Sequence, residues 1–332
     1  SLMTQTRNFE TAMFFSLMQG HIGAHASVLD AMKYVFGEVV GSGRINPNVM
    51  RKKLKEYSDE GIIDSSVVAG EVEAIIGDIA ANRFANTDQL FKYMLQNPIF
   101  RKATEFYQAS DNVWKAYGYE FTKSQMLAAI PIRGLTTEAA KKLGYVVESG
   151  RTVPYKWQDL VSAQFKEVFK MKWNPLNLDG SEKTYGKAIR EIAAKYIRDV
   201  YPNYNMVPNI VRNWRRLPVG NFVAFRSETI RNIYNTLTYG TREITSSNPF
   251  LRQMGARRLI GLNATLYGFQ EGLFAATGAI TNIDEDFIRK YQRWFSPWYD
   301  KNSTIYPISK IRDDKTFWTL NWSREQPFEG VQ

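Results

Sequence analysis

Apolar side chains recur at helical spacing along most of this 332-residue chain, and this periodicity constrains its fold more than any other feature. Across residues 66–81, for example, valines and isoleucines form a broad stripe with the period of an α-helix. Further helices are predicted over residues 98–117 and 121–130. The pattern predicts a mainly α-helical protein, built as a multi-helix bundle.

Two long helices are predicted in the second half of the chain, over residues 222–244 and 249–277. A Ser-Ser-Asn trio precedes Pro249, and proline suits the first turn of a helix that such polar residues can cap. The pattern then changes, because residues 303–311 and 316–322 are rich in β-branched and aromatic side chains. These two stretches flank a polar turn and predict a small C-terminal β-hairpin.

The segment 144–153 has the composition of a linker, with a Glu-Ser-Gly turn signal and Pro154 directly after it. We therefore expect two domains. Residues 1–150 form an N-terminal helical domain, and residues 151–332 form a helical domain with arginine-rich helices and the terminal hairpin. The chain begins with Ser1 and stops soon after an aromatic, strand-like run, which favours a segment of a longer protein.

The composition excludes several kinds of site. The chain has no cysteine, so a disulfide scaffold, a thiolate zinc site and a cysteine nucleophile are excluded. His21 and His25 would share one face of a helix, as zinc ligands do, but they lack a third ligand and the glutamate that activates water. The sequence contains no glycine-rich phosphate-binding loop and no Gly-x-Ser-x-Gly motif of a serine nucleophile. We predict that this segment is not an enzyme and holds no cofactor or metal.

The chain is basic, with 43 Lys and Arg against 33 Asp and Glu and a formal net charge of +10. The stretch from Tyr201 to Ile260 contains nine arginines, two glutamates and no lysine. Guanidinium groups make forked contacts to phosphate, carboxylate or backbone carbonyls, so two interpretations stay open: a surface that binds a partner, or bonds within the fold. The predicted contact residues are Arg212, Arg215, Arg216, Arg226, Arg231, Arg252, Arg257 and Arg258.

Residues 259–283 contain a single charged residue, Glu271, and are long enough to cross a bilayer. Several polar side chains and the glutamate make the segment poorly suited to face lipid, because a charge in the membrane interior is costly. We favour a central helix of a soluble bundle, and a conditional membrane role stays open.

The run at residues 213–225, Asn-Trp-Arg-Arg-Leu-Pro-Val-Gly-Asn-Phe-Val-Ala-Phe, resembles a segment near the end of the large internal virion proteins of tailed phages. This group comprises core or ejection proteins and related large polyvalent proteins. Further blocks that look like the group are Asn248-Pro249, Arg252, Met254-Gly255, residues 257–259 and residues 298–303. The resemblance spans roughly residues 200–325.

This resemblance implies a protein packaged inside the capsid and delivered into the host cell with the genome. Enzymatic activities of the group lie in other modules, so no catalytic residue is carried over. We predict a non-catalytic structural and assembly module whose partners are other virion proteins, copies of itself, DNA phosphates and, transiently, the host membrane. The alternatives are an accessory nucleic-acid-binding domain of a virion RNA polymerase polyprotein and a membrane-pore element of the ejection apparatus.

Overall fold

A computed structural model describes residues 12–40, 46–63, 98–142, 155–202 and 220–268, the two single residues 290 and 294, and two short strands. The described part of the chain is mainly helical, which confirms the prediction drawn from the apolar periodicity. The predicted helix over residues 66–81 lies outside the described residues.

Five helices lie within the described residues up to 142. Helix α1 covers residues 12–18 and is followed by a turn that runs to residue 27. The next four are α2 (Val28–Val40), α3 (Pro47–Asp59), α4 (Pro98–Ala129) and α5 (Thr137–Lys142).

The later helices include two that end in a π-helical turn. They are α6 (Trp157–Gln164), continued by the π turn Phe165–Phe169, then α7 (Tyr185–Val200), α8 (Gly220–Ile244) and α9 (Pro249–Asn263), continued by the π turn Ala264–Gly268. The sequence predicts a helix to residue 277, and residues 269–277 lie outside the described part.

Cap residues explain where several helices begin. The Asn46 side chain accepts a hydrogen bond from the backbone N–H of Asn48 at 2.9 Å, and Pro47 occupies the first turn of α3. The Asn248 side chain does the same for Phe250, also at 2.9 Å. This contact confirms that the polar trio before Pro249 caps α9.

Helix α4 is one continuous helix of 32 residues, where the sequence predicts two helices separated near Gly118. A β-carbon at Gly118 would lie 2.6 Å from the Tyr201 hydroxyl and 3.1 Å from Nδ1 of His21. Glycine therefore serves here to let Tyr201 and His21 approach α4 closely, and it does not end the helix.

The hydrophobic core lies where α4 packs against α2 and α7, and where α7 packs against α8. Aromatic rings contribute strongly, since Phe169 contacts both Tyr196 and Tyr239 in edge-on geometry. The side chains that are almost wholly buried in this core include Val113, Phe121, Met126, Ile130, Ile189, Ile192, Tyr196 and Ile197.

The chain divides into two compact units, Ser1–Gly261 and Leu262–Gln332. The boundary predicted near residue 150 falls within residues 143–154, which lie outside the described part, and it stays a prediction. In the second unit, strands β1 (Thr304–Pro307) and β2 (Phe317–Leu320) are aligned antiparallel, with Thr304 opposite Leu320. The rest of the predicted hairpin is outside the described residues, so the hairpin also stays a prediction.

Candidate functional site

The arginine-rich stretch is only partly described by the structure. Arg212, Arg215 and Arg216 lie outside the described residues, and Arg226 lies on α8 with its side chain outside them. The remaining predicted contact residues lie on α8 and α9, and they are Arg231, Arg252, Arg257 and Arg258.

Arg258 lies in the core, with only 2% of its surface exposed. Its guanidinium donates to both carboxylate oxygens of Glu243, at 3.0 Å and 3.2 Å, and a further N–H donates to the side-chain carbonyl of Gln19. The same group lies over the Tyr196 ring, 5.0 Å from its centre. Arg258 thus joins α7, α8, α9 and the end of α1, and in this position it cannot reach a partner molecule.

The adjacent Glu243 stabilises the charge of the buried Arg258. Burial by itself lowers the pKa of Arg258, but the adjacent Glu243 carboxylate outweighs burial and raises that pKa above its ordinary value. Glu243 is fully buried. Removal of either partner would leave an uncompensated charge in the interior, which is the costly situation for a buried ion pair.

Arg231 closes the C-terminal end of α7. Its guanidinium forms an ion pair with Glu228 at 2.6 Å and donates to the backbone carbonyls of Arg198, Asp199 and Tyr201 at 3.1–3.3 Å. The last carbonyls of a helix have no partner within the helix, and a cation at this end is favoured by the helix dipole. Arg231 therefore acts as a cap supplied by a neighbouring helix.

Two more arginines of the stretch bond to backbone carbonyls in the same way. Arg242 donates to the carbonyl of Val168 at 2.7 Å, at the π turn that ends α6. Arg252 donates to the carbonyls of Ser246 and Ser247, at 3.1 Å and 3.3 Å, and so holds the loop before its own helix. Bonding within the fold, the second of the two open interpretations, thus describes these side chains.

A second polar cluster surrounds His21, which lies in the turn after α1 and not on a helix. Its Nδ1 is 3.1 Å from the Tyr201 hydroxyl and its Nε2 is 3.3 Å from the Thr122 hydroxyl, while Tyr117 donates to its backbone carbonyl at 2.8 Å. Burial and then the positive charge of Arg258 hold the pKa of His21 well below its usual value of 6.5. His21 is therefore a neutral, structural histidine.

An open, charged cleft of about 690 Å³ lies between α3 and α7. Seven cations and four carboxylates line it, with Phe165, Met171 and Trp173 among its apolar lining residues. The cations are Lys52, Lys55, Lys183, Lys187, Arg190, Lys195 and Arg198, and the carboxylates are Glu56, Asp59, Glu60 and Glu191.

Each of the four carboxylates of this cleft forms an ion pair. Lys55 pairs with Asp59, Arg190 with Glu60, Lys183 with Glu191, and Lys123, from outside the lining, with Glu56. Within the described part of the chain, neither Lys52 nor Lys187 takes part in an ion pair. Sequence reasoning missed this cleft, because its cations come from α3, from α7 and from Lys183 just before α7. These segments are far apart in the chain and their cations form no run.

The described residues show no feature of two other kinds of site. Nowhere among them do three or more His, Asp or Glu side chains form a group that could hold a metal ion. None of the helices described here combines the length and the apolar character that a membrane span requires. Of the apolar segment 259–283, residues 269–283 lie outside the described part.

Comparison of this chain with protein-family models, with curated proteins and with solved structures finds no match. The resemblance to internal virion proteins therefore rests on the sequence blocks alone and stays a prediction.

Proposed function

We propose that this chain is a non-catalytic structural and assembly module of a phage internal virion, or ejection, protein. The observation that carries the proposal is that guanidinium groups link neighbouring helices through hydrogen bonds and ion pairs. Arg231, Arg242 and Arg258 tie α7, α8 and α9 to each other and to neighbouring segments through carboxylates and backbone carbonyls. A satisfied polar network of this kind makes the fold rigid, which suits a structural role.

In this proposal the module lies in the capsid interior and is delivered into the host cell with the genome. Its partners are other virion proteins and further copies of this chain, with DNA phosphates and the host membrane as transient contacts. On this proposal the second domain, residues 151–332, carries the arginine-rich helices and ends in the predicted hairpin.

The location of the chain in particles tests this proposal directly. Intact, DNA-filled particles should contain peptides of this chain by mass spectrometry, and particles that have ejected their DNA should have lost them. A capsid-shell protein from the same samples is the control, because it must be equally abundant in both. Absence of the chain from filled particles, or catalytic turnover by the purified chain, would overturn the proposal.

The charged cleft supports a second candidate function, an accessory nucleic-acid-binding domain. Lys52 and Lys187 offer positive charge that no carboxylate of the described chain neutralises by an ion pair. Each phosphate contact contributes a slope of about −0.9 to the plot of log affinity against log salt, because binding releases counterions.

Salt titration separates this candidate from the structural module. If the cleft binds duplex DNA, the variant Lys52→Gln, Lys187→Gln should reduce the salt slope by about 2. The matched control, Lys141→Gln with Lys142→Gln, removes two exposed charges of α5 that do not line the cleft, and should leave the slope nearly unchanged. Equal slopes for both variants would exclude the cleft as the binding site.

A further inference from the structure

The outward face of α8 carries a stripe of exposed apolar side chains. Ile230 is 62% exposed, Tyr234 66%, Leu237 44% and Ile244 41%, and the exposed Thr241 completes the row. Single exposed apolar residues are ordinary on protein surfaces, but a continuous row marks an interaction surface. We call these five residues the α8 stripe.

The stripe has the spacing of a helix-pairing seam. Successive members lie four, three, four and three residues apart, which is the alternation of the a and d positions in a coiled coil. Over this length a straight α-helix keeps such residues on one side, where they can interdigitate with a second helix. The occupant that fits this surface is therefore another helix with an apolar face.

The stripe offers nothing to a charged ligand. Between Thr229 and Thr241 the only charged residue is Arg231, and its guanidinium bonds to Glu228 and to the end of α7. At the C-terminal end, Arg242 donates to the carbonyl of Val168. An acidic peptide or a phosphate backbone would meet no cation along the row.

Among the described residues, the core side of α8 is the face opposite the stripe, whose apolar members are 41–66% exposed. The opposite face of α8 supplies the buried residues, among them Thr229, Asn232, Ile233, Thr236, Tyr239 and Glu243. Substitutions on the stripe therefore act mainly on the surface, and circular dichroism checks that the helical fold is retained.

We propose that the α8 stripe is the surface on which a second copy of this chain docks, through its own α8 stripe, about a two-fold axis. Such an isologous pair places the same patch on both sides. Each copy supplies an uncharged row of the same 4-3-4-3 spacing, so the two faces match in chemistry and in length.

The size of the stripe predicts a weak complex. Its 15 residues extend over about 22 Å of helix, and one helix face of this length buries less than the roughly 800 Å² per partner of a stable standard interface. Pairing therefore needs a high local concentration, such as a capsid interior provides. In this respect the inference rests on the proposed assembly function, for which it names the contact surface.

Sedimentation velocity of the full chain over a concentration series tests the pairing. The wild type should shift from monomer to dimer with rising concentration, and Leu237→Lys should weaken dimerisation at least about tenfold. Leu127→Lys is the matched control, because Leu127 is a 48% exposed leucine on helix α4, outside the stripe. Circular dichroism of both variants checks that the helical fold is retained.

A cysteine cross-link gives an independent readout, since the natural chain has no cysteine. With a short bifunctional maleimide, Thr241→Cys should form covalent dimers at concentrations where Ser162→Cys, an exposed position on α6, does not.

Three outcomes would overturn the inference: a wild type that stays monomeric up to about 1 mM, equal weakening by both lysine variants, or equal cross-linking at both cysteines. Binding of the stripe to lipid vesicles or to another virion protein instead of a second copy would also overturn it. None of these results touches the proposed function, because that proposal is decided by the content of filled and emptied particles.

Discussion

At the scale of single residues, the pair formed by Arg258 and Glu243 is the most consequential polar contact in the described core. Glu243→Gln removes the compensating charge and leaves the guanidinium buried, so we expect a loss of about 3–5 kcal/mol in the free energy of unfolding. Urea denaturation followed by circular dichroism measures this loss. A double variant, Arg258→Met with Glu243→Leu, should recover most of it, because no buried charge remains.

The exposed pair of Lys55 and Asp59 is the control for that experiment. Their side chains are 75% and 59% exposed, so Asp59→Asn should cost less than about 1 kcal/mol. If Glu243→Gln proves as mild as Asp59→Asn, then water or a partner reaches the Arg258 guanidinium and the buried-pair description is wrong.

His21 should make the stability of the protein depend on pH. Its pKa in the folded state is held below 6.5, so as the pH falls below about 6.5 the unfolded chain takes up a proton before the folded one does. Stability from this group is complete above that pH and falls by up to about 1.4 kcal/mol per pH unit below it. Urea denaturation between pH 7.5 and pH 5 measures the slope.

Two variants assign that slope to one ring. The groups that face the His21 ring are the Tyr201 and Thr122 hydroxyls and the charge of Arg258, and the ring also packs near Phe121. His21→Gln should flatten the difference between neutral and acidic pH, whereas His25→Gln, at an exposed position, should retain it. Identical profiles for the wild type and His21→Gln would contradict the assignment.

At the scale of helices, Gly118 sets how closely the Tyr201 segment approaches α4. Gly118→Ala gains helix propensity, but its β-carbon would lie 2.6 Å from the Tyr201 hydroxyl. We expect a net loss of about 1–3 kcal/mol in the free energy of unfolding, as for other overpacked interiors. Adding Tyr201→Phe should restore part of it, because the contacting hydroxyl oxygen is removed.

A second helical glycine provides the comparison. In α7, a β-carbon at Gly186 would have only the end of Arg190 nearby, at 3.8 Å. Gly186→Ala should therefore be neutral or stabilising by up to about 1 kcal/mol. If both substitutions had the same effect, close approach would not explain the glycine in α4.

These helices also show what could be predicted from the sequence. Periodicity and caps gave the class of fold and the start of α9 after Asn248, because both depend on residues close together in the chain. The continuity of α4 through Gly118 depends on Tyr201, far along the chain, and periodicity carries no information on such contacts. A breaking glycine and a packing glycine look alike in sequence.

The candidate site shows the same difference between features set by neighbouring residues and features set by distant ones. Residues 201–260 contain nine arginines and no lysine, which indicated that guanidinium groups form forked hydrogen bonds. Arg231 and Arg258 do bond in this way. Whether their acceptors belong to the fold or to a partner could not be predicted, since the carbonyls at the end of α7 become neighbours only on folding. The cleft between α3 and α7 could not be predicted either, because its lining residues also become neighbours only on folding.

At the scale of the whole molecule, net charge opposes the apolar pairing of two copies. Each copy carries a formal charge of +10, so two copies repel one another at low ionic strength. Salt shortens the screening length from about 10 Å at 0.1 M to about 3 Å at 1 M, while contact between the α8 stripes contains no ion pair for salt to weaken.

Dimerisation of the full chain should therefore strengthen as salt rises over this range, and any association with DNA should weaken steeply over the same range. Sedimentation velocity at several salt concentrations measures the first effect, and fluorescence anisotropy with a labelled oligonucleotide measures the second. Leu237→Lys should not recover dimerisation even at 1 M salt, because the lost contribution is apolar burial. A dimer that dissociates with rising salt would instead require an ionic interface elsewhere on the molecule.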